Sequence, residues 1–160
     1  MAARLAPEIK IELEGLKELR KEADRIVSDL QGPPMLQAMR DATMLVTRTA
    51  RQVATVDTGR YRNSIVPAVS TRANVVEGIV GSNLSYAPYV VLGTRPHYPP
   101  LAALQVWARR HGISARAVQR AIGRRGTKGD RSLIRGIEEN APRIAQLLGQ
   151  AVGRVVEGKR

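Results

Sequence analysis

The chain has 160 residues, 43% of them apolar, and carries 26 Lys+Arg against 14 Asp+Glu for a formal net charge of +12. That length suits one domain, and that apolar share argues against wholesale disorder. Cysteine is absent, which excludes disulfides, thiolate catalysis and Cys-based zinc sites, and no apolar run approaches the ~20 residues of a membrane helix.

The opening stretch MAARLAPEIKIELEG lacks the apolar segment of a secretory signal, so folding in a reducing cytoplasm is expected. Within it, Ile9, Ile11 and Leu13 alternate with Lys10, Glu12 and Glu14, the period of a half-exposed strand ended by Gly15. Leu16, Leu19, Ala23, Ile26, Val27 and Leu30 then recur at helical spacing and predict an amphipathic helix with a charged outer face. Gly32-Pro33-Pro34 breaks it. A second helix starts there, Pro34 being tolerated in its first turn, and runs to about Ala54 on the stripe Leu36, Met39, Ala42, Thr43, Val46, Ala50 and Val53.

The run 56–65 reads as a turn leading into sheet. Ser64–Arg72 and Val75–Ser82 are rich in β-formers and joined near Ala73-Asn74, predicting a hairpin whose first strand is an edge or bulged because of Pro67. Tyr86–Leu92 predicts a short apolar turn of helix closed by Gly93. Residues 95–100 form a stiff exposed loop around Pro96, His97, Tyr98, Pro99 and Pro100. Leu101–His111 is helical, with Leu104 and Trp107 inward and Gly112 as the stop. Ser114 is placed to cap a helix over Ala115–Arg125, with Val118 and Ile122 inward and Arg116, Arg120 and Arg124 in a row on another face. Residues 126–130 read as a loop. The remainder is helical with Leu133, Ile137, Ile144, Leu148, Val152 and Val155 inward, and with a kink or a fresh cap at Asn140 and Pro142.

Phe is absent and aromatic residues are limited to Trp107, Tyr61, Tyr86, Tyr89 and Tyr98, so the core must come from Leu, Ile, Val, Ala and Met. The fold class expected is α+β, a small antiparallel sheet with an edge hairpin packed against several helices. One domain spans 9–156, with a flexible arm at 1–8 and a flexible tail at 157–160.

The charge is unevenly spread. Residues 1–50 are net zero, 51–100 are net +3 and 101–160 are net +9. Between Arg109 and Arg135 stand nine basic residues and one acid, Asp130. Such a segment either faces something anionic or sits where self-repulsion is tolerable. Arg outnumbers Lys by 21 to 5, and a guanidinium serves carboxylates as well as phosphates. Arg109, Arg110, Arg116, Arg120, Arg124, Arg125 and Lys128 form the candidate basic surface. Base-stacking aromatics are nearly missing from this stretch, which argues against single-strand or RNA recognition.

Signals for catalysis are weak. Asp57-Thr58-Gly59 matches the triplet of aspartic proteases, but one copy supplies half a dyad, and Arg60 and Arg62 beside it would favour ionised carboxylates over a shared proton. A turn with Asp57 and Thr58 bonded to local backbone and Gly59 at positive φ is the reading preferred. His97 and His111 would make a metal pair only with carboxylate help, and lone surface histidines are far commoner, while Gly126-Thr127-Lys128-Gly129 lacks the first glycine and the strand of a phosphate loop. No metal, no cofactor and no enzymatic activity are expected.

Three stretches in order make a recognisable set: Val56-Asp57-Thr58-Gly59-Arg60-Tyr61-Arg62-Asn63-Ser64-Ile65, then 81–94 with Tyr86-Ala87 and Gly93-Thr94, then Arg125-Gly126-Thr127-Lys128 after a Pro-Pro-led helix with Trp107. Together they resemble the tailed-bacteriophage neck and minor tail-component family typified by gene product ten of the Hong Kong phage, from about Leu16 to the C-terminus. The chain departs from that pattern at Val91, where the family has an acid, and at Gly129, where it has proline. The resemblance implies a virion subunit of the head–tail junction that forms a ring of six or twelve copies and touches connector, head-closure and tail-terminator proteins. Asp57, Thr58, Gly59, Ser64, Tyr86, Gly93 and Thr94 are its candidate assembly and turn residues.

A ring subunit needs two different faces for its neighbours. The edge strand, the proline loop and the N-terminal arm are available for contact, and the neutral first third and the Arg-rich last third are candidates for opposite faces. The basic surface would face DNA in the channel or an acidic neighbouring ring. The competing reading is a free-standing, non-specific DNA-binding protein. No membrane partner is expected.

Overall fold

The computed structural model describes residues 16–72 and 75–157. The expected strand at 9–13, the arm at 1–8, the turn residues 73–74 and positions 158–160 lie outside the described residues.

Two long helices form the backbone of the fold. Helix α2 (Pro33–Val53) starts with its prolines in the first two positions, where no intrahelical N–H is needed. Its buried face is Ala38, Ala42, Thr43, Val46, Thr47 and Ala50. The two threonines are buried without loss because Thr43 Oγ1 donates to Arg40 O (2.9 Å) and Thr47 Oγ1 to Thr43 O (2.8 Å). Helix α7 (Ser132–Glu157) packs along α2 through Ser132, Gly136, Ala151 and Val155. A Cβ on Gly136 would stand 2.8 Å from the Val46 carbonyl oxygen and 3.3 Å from Ala50 Cβ, so glycine is what lets the two helices approach this closely. Asn140 ties the pair, its Nδ2 donating to Thr49 Oγ1 (2.9 Å) and to Gly136 O (2.8 Å).

Strands β1 (Ile65–Arg72) and β2 (Val75–Ser82) make an antiparallel hairpin in unbroken register from Ile65↔Ser82 to Arg72↔Val75. It lies across α2. Gly78 sits so close that a Cβ there would come within 2.7 Å of Met39 Sδ and of Thr43 Cγ2. Pro67 is on an edge strand, as expected, and no bulge accompanies it.

The helix α1 (Leu16–Asp29) touches α7, while α3 (Arg60–Ser64) joins α2 to the hairpin. After the hairpin, α4 (Ala87–Leu92) ends at Gly93 and opens into the two-residue strand β3 (Gly93–Thr94). Helices α5 (Leu101–Arg110) and α6 (Ala115–Arg125) pack on each other, and β4 (Thr127–Lys128) pairs antiparallel with β3. The principal core cluster is Ala50, Ala54, Tyr61, Ile65 and Ala87, lined by Val80, Leu84, Val90, Val91 and Leu133. The fold is α+β, as the sequence indicates.

Several expectations are corrected. Residues 60–64 form a helical turn, because Gly59 accepts the first bond from Asn63 N–H (2.9 Å) before the chain extends. Part of the loop 126–130 is strand β4, which gains backbone partners from Gly93-Thr94. Helix α7 runs unbroken past Asn140 and Pro142 without a fresh cap, its packing on α2 outweighing the lost bond. Ser114 stands at the start of α6 but makes no side-chain cap; its carbonyl takes the first bonds. Ile137 (56% exposed) and Val152 (40%) point outward, since α7 buries a different stripe. Leu19 (64%), Ala23 and Val27 on α1 are also uncovered, because only the end of that helix meets α7. Leu104 and Trp107 are half-buried, and the fully buried position of α5 is Ala108.

Two of the three glycines of α7, Gly136 and Gly149, predict opposite outcomes. Gly149→Ala meets open space and should stabilise by about 0.5–1 kcal/mol through helix propensity. Gly136→Ala should destabilise by about 1–3 kcal/mol by pushing α7 off α2. Urea melts of the two variants beside the parent check both signs.

Candidate assembly surface

The Asp57-Thr58-Gly59 segment is a turn, with Gly59 buried at φ 79°, in the left-handed region. Its anchoring differs from the expectation of local backbone bonds. The Asp57 carboxylate accepts from Arg110 Nη2 at 2.6 Å, and His111 Nε2 lies 3.3 Å from its other oxygen. The His111 ring in turn stacks on Trp107, centroids 4.3 Å apart. The turn is thus clamped to the C-terminal end of α5. Arg110, expected on the basic surface, is taken by this pair. Thr58 is exposed.

Ser64 closes the other side of the turn. Leu84 N–H donates to Ser82 Oγ (3.2 Å), and Ser64 Oγ donates to Tyr61 O (2.7 Å). The Ser64 proton being used, Ser82 must donate to Ser64 Oγ across their 2.7 Å contact. This relay locks α3 to the end of β2.

Asp130 is the knot between elements. Its Oδ2 accepts from Thr55 N–H (2.6 Å), its Oδ1 from Ser132 N–H (2.7 Å), and its own N–H donates to Val90 O (2.8 Å). The end of α2, the helix α4 and the start of α7 meet on one residue. Burial, the largest single influence, disfavours its charged form, but the hydrogen bonds from Ser132 and Thr55 together outweigh it and hold the carboxyl below its ordinary value. Beside it, Tyr61 OH and Ser132 Oγ share a 3.3 Å bond. Burial first, then the nearby Asp130 charge, push the Tyr61 phenol upward against the Ser132 bond.

The Gly93-Thr94 and Gly126-Thr127-Lys128 segments face each other as β3 and β4, with Gly93 opposite Lys128 and Thr94 opposite Thr127. Gly93 (φ 75°) and Gly126 (φ 69°) are both left-handed, and a Cβ on either would run into the carbonyl of the opposite strand. Thr94 Oγ1 accepts from Thr127 N–H (3.2 Å) and lies 3.0 Å from Thr127 Oγ1. The two departures from the family pattern meet here, for a Cβ on Gly129 would strike the Val91 carbonyl. Tyr86, Thr94, Trp107, Lys128, Asp130 and Ser132 share a groove of about 780 Å³, whose acid is already held by two backbone N–H groups.

Arg109, Arg116, Arg120, Arg124, Arg125 and Lys128 are all exposed, and none has an ion pair among the described residues. Three of the four arginines of α6, Arg116, Arg120 and Arg124, stand four residues apart on one face, as the periodicity indicates. Gln119 Nε2 donates to Pro99 O (2.8 Å), and the Tyr98 ring occupies the space above Gly123. The proline loop is therefore held on α6 rather than free, although Pro96, His97, Tyr98 and Pro100 remain exposed and Pro99 is half-buried. His97 Nδ1 lies 2.9 Å from Arg95 O. Among the described residues no group of three or more His, Asp or Glu is placed to hold a metal.

Sequence reasoning did not single out Asp130, Ser132, Tyr61 or Arg51 as organising residues. The Asp-x-Ser step before a long apolar period is a helix-start signal that marks the first two. Arg51, whose Nε and Nη2 both donate to Ile65 O (2.9 and 2.6 Å), carries no such local mark.

The fold and these motifs define a small α+β subunit held by turns and carrying an uncovered basic helix, without a constellation of free catalytic groups at the motif residues. A family model described as "Bacteriophage HK97-gp10, putative tail-component" matches residues 13–93, just over half of the chain. The chain belongs to this family of phage tail components. Neither the curated proteins nor the solved structures gave a match. Membership implies a place in the virion among other phage structural proteins. No helix among the described residues is long and apolar enough to cross a membrane.

Two predictions follow from the turn and the knot. Gly59→Val should destabilise by about 1–2 kcal/mol or more, since a branched side chain is strained at φ 79°; a thermal melt reads this directly. The lowered Asp130 carboxyl adds stability that is fully present above its unfolded value and is lost as pH falls through its folded one. Asp130→Asn should therefore lower stability at pH 7 and flatten its decline below about pH 4, measured as urea midpoints against pH.

Proposed function

We propose that the chain is a non-enzymatic structural subunit of the phage head–tail junction, assembling into a ring that joins connector to tail. The observation that carries this is apolar surface left without cover. Among the described residues eleven apolar ones are buried and seven of these are alanine, while Leu19, Met44, Val66, Val75, Ile79, Tyr89, Leu92, Ile137 and Val156 are all at least 47% exposed. A monomer with so thin a core and so much uncovered apolar surface is built to be completed by neighbours. Membership of a phage tail-component family supports a phage particle as the setting, and connector, head-closure and tail-terminator proteins are the partners proposed.

The basic surface of α5, α6 and β4 is the second support, a face for an anionic neighbour or for DNA in the channel. A sequence-reading role is disfavoured because Gln119, the one amide on α6, is spent on the Pro99 carbonyl. The rival reading, a free-standing non-specific DNA-binding protein, predicts a different solution state.

Light scattering after size exclusion tests the proposal. A closed ring of six or twelve copies, alone or with its neighbour proteins, is expected. A compact monomer or dimer that binds duplex tightly at ~0.15 M salt would support the rival. Replacing Arg116, Arg120 and Arg124 together by Ser should leave the melting transition within about 0.5 kcal/mol of the parent, because all three are exposed. A lost transition would show that these arginines hold the fold.

A further inference from the structure

We propose that Arg48, Arg51 and Arg62 form a docking pocket for an acidic segment of another virion protein, one in which a carboxylate stands beside a large apolar side chain. The inference rests on the structural-subunit reading and adds the chemistry of a partner at a site other than the arginine row of α6.

The pocket lies between the second half of α2, the helical turn α3 and the start of β1. The three arginines stand around a concavity of about 520 Å³, and Met44 and Pro67 supply apolar wall. No acid lines it. Charge is one-sided on every element that builds it. Helix α2 has one acid, Asp41, seven residues before Arg48 and so about 10 Å along the helix, where it accepts from Gln37 Nε2. Neither α3 nor β1 has any. Glu77 of β2 stands opposite Ser70, farther along the hairpin than Pro67. Arg48 and Arg62 are exposed and enter no ion pair among the described residues.

Arg51 makes this more than a cluster of loose cations. Its Nε and Nη2 both donate to Ile65 O (2.9 and 2.6 Å), the carbonyl of a fully buried residue. That bond fixes the guanidinium in place but supplies no charge to neutralise it. A guanidinium has five N–H donors, so the rest of the fork is left for a ligand. A held fork loses little freedom on binding, and its planar edge matches a carboxylate. Three like charges around one cavity also repel each other, and an anion seated among them removes that cost.

The walls select the source of the anion. Met44 is 58% exposed and Pro67 is exposed too, so a ligand that covers them gains by burying apolar surface. Duplex DNA brings phosphates and sugars, with little apolar surface for such a wall. A protein segment brings both parts, a carboxylate for the fork and an apolar neighbour for Met44 and Pro67. A second copy is the poorer source, because a chain of net +12 repels itself.

Fluorescence anisotropy with labelled peptides tests this. The probe is a short synthetic peptide alternating Glu and Leu, set beside one alternating Gln and Leu. The parent should bind the Glu–Leu peptide about tenfold or more tightly than the Gln–Leu peptide. Arg48→Gln/Arg62→Gln should keep the parent's melting transition and lose about tenfold of that affinity. Arg116→Ser/Arg120→Ser/Arg124→Ser should keep the affinity. Arg51 is left in place because its bond to Ile65 belongs to the fold. The pocket is wrong if the Glu–Leu peptide does not bind, if the two peptides bind equally, if the Arg48/Arg62 variant binds like the parent, or if the α6 variant loses as much. It is equally wrong if the Arg48/Arg62 variant loses binding to a duplex oligonucleotide at ~0.15 M salt or loses the parent's own assembly by light scattering, since the arginines then serve DNA or a second copy. A parent that forms a ring but binds no peptide overturns the pocket alone. A parent that stays monomeric at every concentration and with its neighbour proteins overturns the ring reading, whatever the peptide does.

Discussion

The close approach of α2 and α7 is the constraint on which the rest of the molecule depends. A chain without phenylalanine cannot fill a wide core, so its helices must come near enough for small side chains to suffice. Ala42, Val46 and Ala50 on one helix and Gly136 and Ala151 on the other provide that nearness. The hairpin repeats the solution on another side of α2, where Gly78 lets β2 settle on Met39 and Thr43. Dispersion and apolar burial operate here through proximity rather than through large side chains.

A thin core needs help at its seams, and polar links supply it. Asp130 gathers α2, α4 and α7, while Arg51 binds the end of α2 to the first residue of β1. Asp57 reaches across to α5. Each link joins segments far apart in sequence, and each sits at the end of an element, where backbone groups would otherwise lack partners. The Thr-Gly turn and Gly93, within the residues that the family model matches, and the Gly126-Thr127-Lys128 strand beyond them coincide with these seams, for each is a place where a left-handed glycine or a close backbone contact is required.

What remains after the seams are closed is surface. Leu19, Ala23 and Val27 of α1, Val66 and Ile79 of the hairpin and the arginine row of α6 are exposed, and those arginines have no ion pair among the described residues. Exposed apolar faces of this kind are consistent with membership of a family of phage tail components. The basic excess of the last third is displayed on α6, where Arg116, Arg120, Arg124 and Arg125 are exposed, while α1 carries a balanced mixture of charges.

The helices, the hairpin and the arginine row were legible in the sequence because each is a local pattern: period 3.6 for α2 and α6, two runs of β-forming residues around a turn for β1 and β2, glycine at positive φ for Gly59. The family was legible from the order of three short motifs. The burial of α7 was misjudged at Ile137 and Val152 because periodicity identifies apolar residues without saying which of two apolar faces meets a partner. Strand β4 was missed because two residues carry no period, and its partner Gly93-Thr94 lies 33 residues away. Asp57 and Arg110 were assigned separate roles because their pairing depends on how α5 returns across the turn. Sequence alone determined which segments form elements and where charge accumulates, since both follow from neighbours along the chain. Only the tertiary structure decided which carboxylates are spent inside the subunit and which face outward, because that depends on which distant segments are brought within hydrogen-bonding distance.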